Sequence, residues 1–521
     1  MKRYGQIPEA TAVSSTSSIR NERMIARWLL ALCFSTVASV AGARVDPDWA
    51  SVDARPTPQW WSDAKFGIFI HWGVYSVPAY ASKGEYAEWY WERLRNPGNP
   101  DPATRDAQIR RQTREFHARV YGEGFDYEGF APQFRAELFD ADQWAETLRK
   151  SGAKYVVLVS KHHDGFALWP SREADASWGR PWNALALGPK RDLVGELSAA
   201  VRRRGLEMGF YFSLYEWFNP LWLAGDTDAY VTRHLFPQFK DLVMRYSPAV
   251  IFSDGEWELP SEKWRAPELL AWLFNDSPVA DRVVVNDRWD TETRHRHGGY
   301  YTTEYGAGLP GATHPWEENR GIGHSYGYNR NEDVSDYATG QRLLLTLIDT
   351  VSRGGNLLLN IGPTADGRIP VEMQERLVYL GAWLEHNGEA IYGTRTFRDG
   401  AQWTAGRRQE VDTSTNYRAK YDVEKLTLTP DPGDARKEIL FTSKGSTVYA
   451  ILPKYPRDTL ILRNLKPARG ARISLLGSRH ANLEWRQKGG DAIVRMPRLD
   501  EGELPFSGAW ALRIETAAEQ P

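Results

Sequence analysis

The chain has 521 residues, 42% hydrophobic and 12% aromatic, with 65 basic against 67 acidic side chains and a net charge of −2. That balance speaks against a nucleic-acid binder, which needs a basic surplus to displace counterions from phosphates, and a mean hydropathy of −0.53 excludes a polytopic membrane protein. One cysteine excludes a disulfide scaffold and a cysteine-based metal cluster.

The first element in chain order is the apolar run 28–43 (WLLALCFSTVASVAGA), preceded by Arg20, Arg23 and Arg27 and ending in Ala41-Gly42-Ala43. A charged n-region, an apolar h-region and a small-residue cleavage site make a secretory signal. The run falls short of the about 20 residues of a bilayer span. The polar stretch before it points to Met24 as the initiator, and residues 1–43 are expected to be a signal peptide with an N-terminal extension. Cys33 lies within it, so the exported chain, periplasmic or secreted, would carry no thiol and no membrane anchor. An uncleaved anchor helix is the alternative.

From about residue 60 to 390, short apolar runs alternate with amphipathic helices. The runs 67–71, 155–160, 207–212, 250–253, 283–286 and 356–360 suit strands buried on both faces, as in a parallel sheet. Leu193, Val194, Leu197 and Val201 form one helical stripe that Gly205 ends, Trp144 and Leu148 share another, and Met373, Leu377, Leu380 and Leu384 line a third that ends at Gly388. These are βα units, and their number favours a (β/α)8-like TIM barrel over residues 50–395 rather than an open doubly wound sheet. No Gly-x-Gly-x-x-Gly follows the first strand to suggest a dinucleotide. Beyond about 395 the helical pattern gives way to β-like runs at 438–442, 447–452, 459–463, 472–476, 492–495 and 509–514, separated by Gly, Pro and Asp. This predicts an antiparallel β-sandwich over 396–521, with loops and one or two edge strands in the polar stretch 409–437.

In a barrel of this kind the active site lies at the C-terminal ends of the strands. There the sequence places His71-Trp72, Lys161-His162-His163-Asp164, Tyr215-Glu216-Trp217, Asp254-Gly255-Glu256, Asp287-Arg288-Trp289 and Asn360, too many polar groups to be strand caps alone. The 22 Trp and 24 Tyr hint at sugar faces, although an apolar core would also use them. Asp254 should project from a strand tip into the pocket, unless it is a turn residue before Gly255. A second carboxylate must come from a loop, with Glu304, Glu317, Glu256, Glu258 and Asp287 available. Glycoside hydrolysis needs such a pair. His162 and His163, adjacent on a strand, should point to opposite faces and so not chelate one ion.

At these residues the chain resembles the α-L-fucosidases of glycoside hydrolase family 29. The stretches WWSDAKFGIFIHWGVYSVPAY, AEWYW, SGAKYVVLVSKHHDGFALWPS, RDLVGEL, SDGEWE, VVNDRW, TTEY, RGIGHSYGYNRNED, SRGGNLLLNIGPTADGRIP and NGEAIYG carry the likeness in family order, from about Trp60 onward. The resemblance implies a catalytic barrel followed by a β-sandwich, and retaining hydrolysis of terminal α-L-fucosides from glycans or glycoconjugates without cofactor or metal. It implies Asp254 as nucleophile and Glu304 of TTEY as general acid/base, with Glu317 of PWEEN as the local competitor. It further implies that His71, Glu88, Trp89, His162 and His163 hold the sugar hydroxyls, that Tyr211 and Arg288 lie by the nucleophile, and that Tyr326 and Trp316 form the aromatic wall for the C5 methyl. Phe252 stands where many relatives have Trp, and Tyr326 where Phe is also seen. The expected partner is a fucosylated oligosaccharide or glycoconjugate, with homo-oligomer formation left open. The segment 96–133 is expected to shape the aglycone side.

Overall fold

Eight parallel strands carry the first part of the chain: β1 (Phe66–Ile70), β2 (Tyr155–Lys161), β3 (Glu207–Ser213), β4 (Val250–Asp254), β5 (Val284–Val285), β6 (Tyr301–Glu304), β7 (Trp316–Gly321) and β8 (Asn356–Ile361). The structure, a computed structural model, describes residues 44–309, 311–409 and 417–516. The expected signal segment lies outside the described residues, as do 410–416 of the polar stretch. The strand order β5-β4-β3-β2-β1-β8-β7-β6 is that of a barrel with one seam between β5 and β6.

Alternation along each strand explains the two apolar layers. Phe69, Tyr155, Val157, Val159, Tyr211, Val250, Phe252 and Leu358 pack together inside the barrel. Their neighbours Ile68, Ile70, Val156, Leu158, Phe210, Ile251 and Leu359 point outward onto the helices. The helical stripes read from the sequence are there, in helices Ala141–Lys150, Leu193–Arg203 and Val371–Asn387. Asp140 and Asp192 start the first two by accepting N–H bonds from the first turn.

Two strands escaped the sequence reading, because β6 and β7 are polar: YTTE and WEENRG. Between β5 and β6 no ladder forms; the seam is joined by the Tyr300 N–H donating to the Val285 carbonyl at 3.2 Å. Side chains complete it: Asp287 Oδ1 accepts from the Thr302 N–H at 3.1 Å and from its hydroxyl at 2.7 Å. The close approach depends on Gly298, whose φ is +100° and where a Cβ would stand only 2.4 Å from the Asn286 carbonyl oxygen.

The C-terminal part is a two-sheet antiparallel sandwich, as expected. Strands β9 (Arg395–Trp403), β10 (Lys437–Lys444), β11 (Thr447–Leu452), β13 (Ile473–Leu475) and β16 (Trp510–Glu515) make one sheet, and β12 (Thr459–Leu462), β14 (Trp485–Lys488) and β15 (Asp491–Arg495) the other. Phe397, Ile439, Val448, Leu462, Val494 and Leu512 are among the side chains buried between them. The expectation of only loops and edge strands between 409 and 437 needs correcting. Asp422 caps a short helix, Val423–Thr427, that buries Val423 and Leu426. Among the described residues no helix is long and apolar enough to cross a membrane.

Candidate active site

On four of the strands the inward series runs out to a polar residue at the barrel mouth, one step beyond the apolar interior. In β4 the inward series Val250, Phe252 ends in Asp254; beyond Phe69 it reaches His71; β6 ends in Glu304; in β7 it reaches Asn319. These residues, with Glu88, Trp89, His162, Tyr211, Arg288 and Tyr326, line a cavity of about 560 Å³. Gly255 makes the turn after Asp254 possible: its φ is +80°, and a Cβ there would stand 2.9 Å from that of Tyr215.

Asp254 and Glu304 are joined by one guanidinium. Arg288 donates through Nη1 to Asp254 Oδ1 at 2.8 Å and through Nη2 to Glu304 Oε2 at 3.2 Å, while its Nε is held by the Thr302 hydroxyl at 3.0 Å. The Tyr211 hydroxyl donates to Asp254 Oδ2 at 2.8 Å, and His163 Nε2 stands 3.5 Å from the same oxygen. Burial alone would raise the Asp254 carboxyl, but Arg288, with His163 and Arg294, outweighs it and holds the group well below the usual carboxylate range. The Tyr86 hydroxyl donates to Glu304 Oε1 at 2.8 Å. Immediately after Glu304 the chain turns through Tyr305, a non-glycine residue at φ +46°, held by its hydroxyl donating to the Gly323 and His324 carbonyls at 2.9 Å.

The two imidazoles that line the cavity, His71 and His162, are neutral. Burial pushes His71 down to about 3 and His162 well below its ordinary value. Asn360 donates through its amide nitrogen to the Tyr326 carbonyl at 2.7 Å, so its oxygen faces His71 Nδ1, also at 2.7 Å, and accepts a hydrogen bond from the Nδ1–H. His71 Nε2 is therefore an acceptor toward the cavity. Burial raises Glu88 to about 7, while its Oε2 accepts the Gly327 N–H at 2.8 Å.

The expectation that His162 and His163 point to opposite faces is corrected. Both follow the end of β2, after a register shift between Val159 and Lys161, and their ring centroids are 4.4 Å apart. His162 lines the cavity, while His163 stands behind Asp254. Trp316 is also misplaced by the sequence reading. It is buried at the N-terminal end of β7, beneath the cation of Arg353, and does not line the cavity. Glu317 is fully buried inside the barrel, where the Tyr155 hydroxyl donates to it. It precedes Asn319 by two residues, which places it roughly 7 Å deeper along the strand. The segment 96–133 does not line this cavity itself; its Asn96 and Pro97 line an adjoining pocket that shares Trp89 and Trp257 with it, and Arg110 of helix Arg105–Tyr121 braces Glu92 of the same pocket. Of the other available carboxylates, Asp287 is spent on the seam, and Glu256 faces the cavity with Arg294 at 2.6 Å. Sequence reasoning missed Tyr86, Arg294, Trp257 and Tyr417 as lining residues, and none of them stands at the end of an apolar run.

The profile of the family described as alpha-L-fucosidase matches residues 32–389, and that of the alpha-L-fucosidase C-terminal domain matches 433–515. The tissue alpha-L-fucosidase of Rattus norvegicus is 39% identical over 93% of this chain and 96% of its own length. A crystal structure of Thermotoga maritima alpha-fucosidase in complex with a mechanism-based inhibitor is 34% identical, covers 91% of this chain and 100% of that one, and has a TM-score of 0.70. The same enzyme in complex with fucose gives 33% identity, 90% and 100% coverage and a TM-score of 0.68.

Proposed function

The chain belongs to the alpha-L-fucosidase family of glycoside hydrolases, and from that premise we propose that it removes terminal α-L-fucose by double displacement, with Asp254 as nucleophile and Glu304 as acid/base. The observation that carries this reading is the single guanidinium of Arg288 touching both carboxylates at the barrel mouth. A nucleophile has to stay ionised, and Asp254 is held charged by Arg288 at one oxygen and fixed by Tyr211 at the other. It attacks the anomeric carbon while Glu304 gives its proton to the departing oxygen. Esterification removes the charge of Asp254, so the Arg288 cation then faces Glu304, which takes a proton from the incoming water. Among the polar lining residues, neutral His71 accepts from a ring hydroxyl, and His162 and Glu88 take others. The rings of Phe69, Phe252 and Tyr326 offer the apolar surface that a 6-deoxy sugar needs, worth roughly 1–3 kcal/mol against a sugar lacking the methyl.

The substrate class is a fucosylated oligosaccharide or glycoconjugate. Export, to a periplasm or the exterior, is supported by the arginines and the apolar run within residues 20–43.

The test is the stereochemistry of the first product. Proton NMR of an α-L-fucoside digest should show α-L-fucose before mutarotation; β-L-fucose appearing first would refute double displacement. Asp254→Gly should lower kcat on 4-nitrophenyl α-L-fucoside by at least about 10³-fold with the fold retained, and added azide should restore turnover and yield the β-fucosyl azide.

A further inference from the structure

Residues 390–432 fall between the stretches that the two family profiles match, and among their described members Tyr417 and Arg418 lie at the barrel mouth. The main chain of Tyr417 forms a parallel bridge to Glu304, and the Arg418 N–H donates to the Glu304 carbonyl at 2.8 Å. The Tyr417 ring lines the cavity and meets Tyr86, whose hydroxyl donates to Glu304, edge-on at 6.4 Å and 85°. The ring is held in place. The Arg418 guanidinium lies 4.7 Å from the centroid of Tyr86 and 5.3 Å from that of Tyr417, and its Nη2 donates to the Gly84 carbonyl at 3.0 Å.

Exposure grades the aromatic lining from floor to rim, with Trp89 half-buried between. Phe69, Phe252 and Tyr326 are 1, 1 and 5% exposed and form the floor, whereas Trp257 and Tyr417 are 39 and 43% exposed and stand at the rim. Trp257 follows Asp254 by three residues, and Tyr417 is bonded to the strand end that carries Glu304. The departing oxygen has to meet the carboxyl that protonates it, so the departing sugar begins at Glu304.

We propose that Tyr417 is the platform for the leaving group: its half-exposed ring stacks on the C–H face of the pyranose that departs, and it selects fucose linked to a saccharide over fucose linked to a small leaving group. The negative face of an aromatic ring suits the weakly positive C–H groups of a sugar. This rests on Glu304 being the proton donor.

The experiment compares wild type, Tyr417→Ala and Tyr417→Phe on α-L-fucosyl fluoride, whose leaving group is one atom, and on a fucosylated disaccharide. Tyr417→Ala should lose at least about tenfold more kcat/KM on the disaccharide than on the fluoride, chiefly through KM. Tyr417→Phe, which keeps the face, should stay within about threefold of wild type on both. Equal losses on the two substrates, no loss on either, or a Phe variant as poor as Ala would each overturn the platform. Failure of the wild type to release fucose from the fluoride would instead remove the catalytic reading beneath it.

Discussion

Arg288 is the side chain on which the charges of the site depend. Its guanidinium is buried, sits 4.9 Å from the Phe252 ring centroid, and reaches both Asp254 and Glu304. Among the groups that act on the Asp254 carboxyl against burial, it is the strongest. Replacing it with methionine should therefore raise the Asp254 pKa and shift the acid limb of the kcat/KM–pH profile toward higher pH by a unit or more, because a protonated carboxyl cannot attack; kcat/KM should also fall at its optimum by at least about 100-fold. A full pH profile of Arg288→Met checks this, and an acid limb that stays where it is would show that another group sets it. Asp254 and Arg288 were legible in the sequence because each follows an apolar run and so stands at a strand tip. Tyr86 was not: it reaches Glu304 from a loop, and nothing in the local pattern of polar and apolar residues marks it.

At the scale of the element, β6 and β7 show why the barrel was only partly legible. Six strands were visible because they are apolar on both faces, but these two fill the barrel interior with Thr302, Glu317 and Asn319, and Thr303 and Glu318 bond to each other. Hydrophobic periodicity has no signal for a strand whose buried partners are polar. The same feature yields a stability prediction. Burial pushes Glu317 up to about 8, partly offset by the hydroxyls of Tyr155 and Tyr300. A raised carboxyl stays protonated in the folded chain while the unfolded chain ionises near 4.5. Stability is therefore greatest below that value and falls as pH rises toward 8, by about 1.4 kcal/mol per pH unit for one proton. Glu317→Gln, neutral at every pH and still an acceptor for Tyr155, should remove this slope and be more stable than wild type at pH 8. Urea unfolding of both proteins at pH 5 and pH 8 measures it. Retained fucoside turnover would separate Glu317 from Glu304, whose replacement by Gln should abolish turnover of poor leaving groups.

For the whole molecule, the question is what ties the sandwich to the barrel. Leu440, Tyr449, Ile451, Ala509 and Ala511 of the sandwich belong to the same apolar cluster as the barrel helices. Within that contact sits a charge network. Asp349, fully buried in helix Gly340–Ser352, bonds Lys437 of β10 and the Tyr421 hydroxyl, and takes Arg353 Nε at 2.8 Å. Burial would raise Asp349, but Arg353 and Lys437 reverse this and hold its carboxyl far below the ordinary range. Removing one partner of a buried pair leaves the other uncompensated, at a cost of about 3–5 kcal/mol, whereas exchanging a charged partner for an apolar side chain can be neutral. Asp349→Asn should accordingly lose about that much stability, because it strands both the Lys437 ammonium and the Arg353 guanidinium, and the added change Lys437→Met, which removes one of the two charges, should recover part of it. Lys437→Met alone should cost little, because Arg353 still neutralises Asp349. The pH dependence has a fixed sign. A depressed carboxyl contributes fully above its unfolded value near 3.8 and loses its contribution as pH falls below it, so the deficit of Asp349→Asn should shrink in acid. Guanidinium unfolding midpoints of the four proteins at pH 7 and pH 3 decide the matter: if the double variant is no more stable than Asp349→Asn, then lost packing rather than a stranded charge accounts for the coupling between barrel and sandwich.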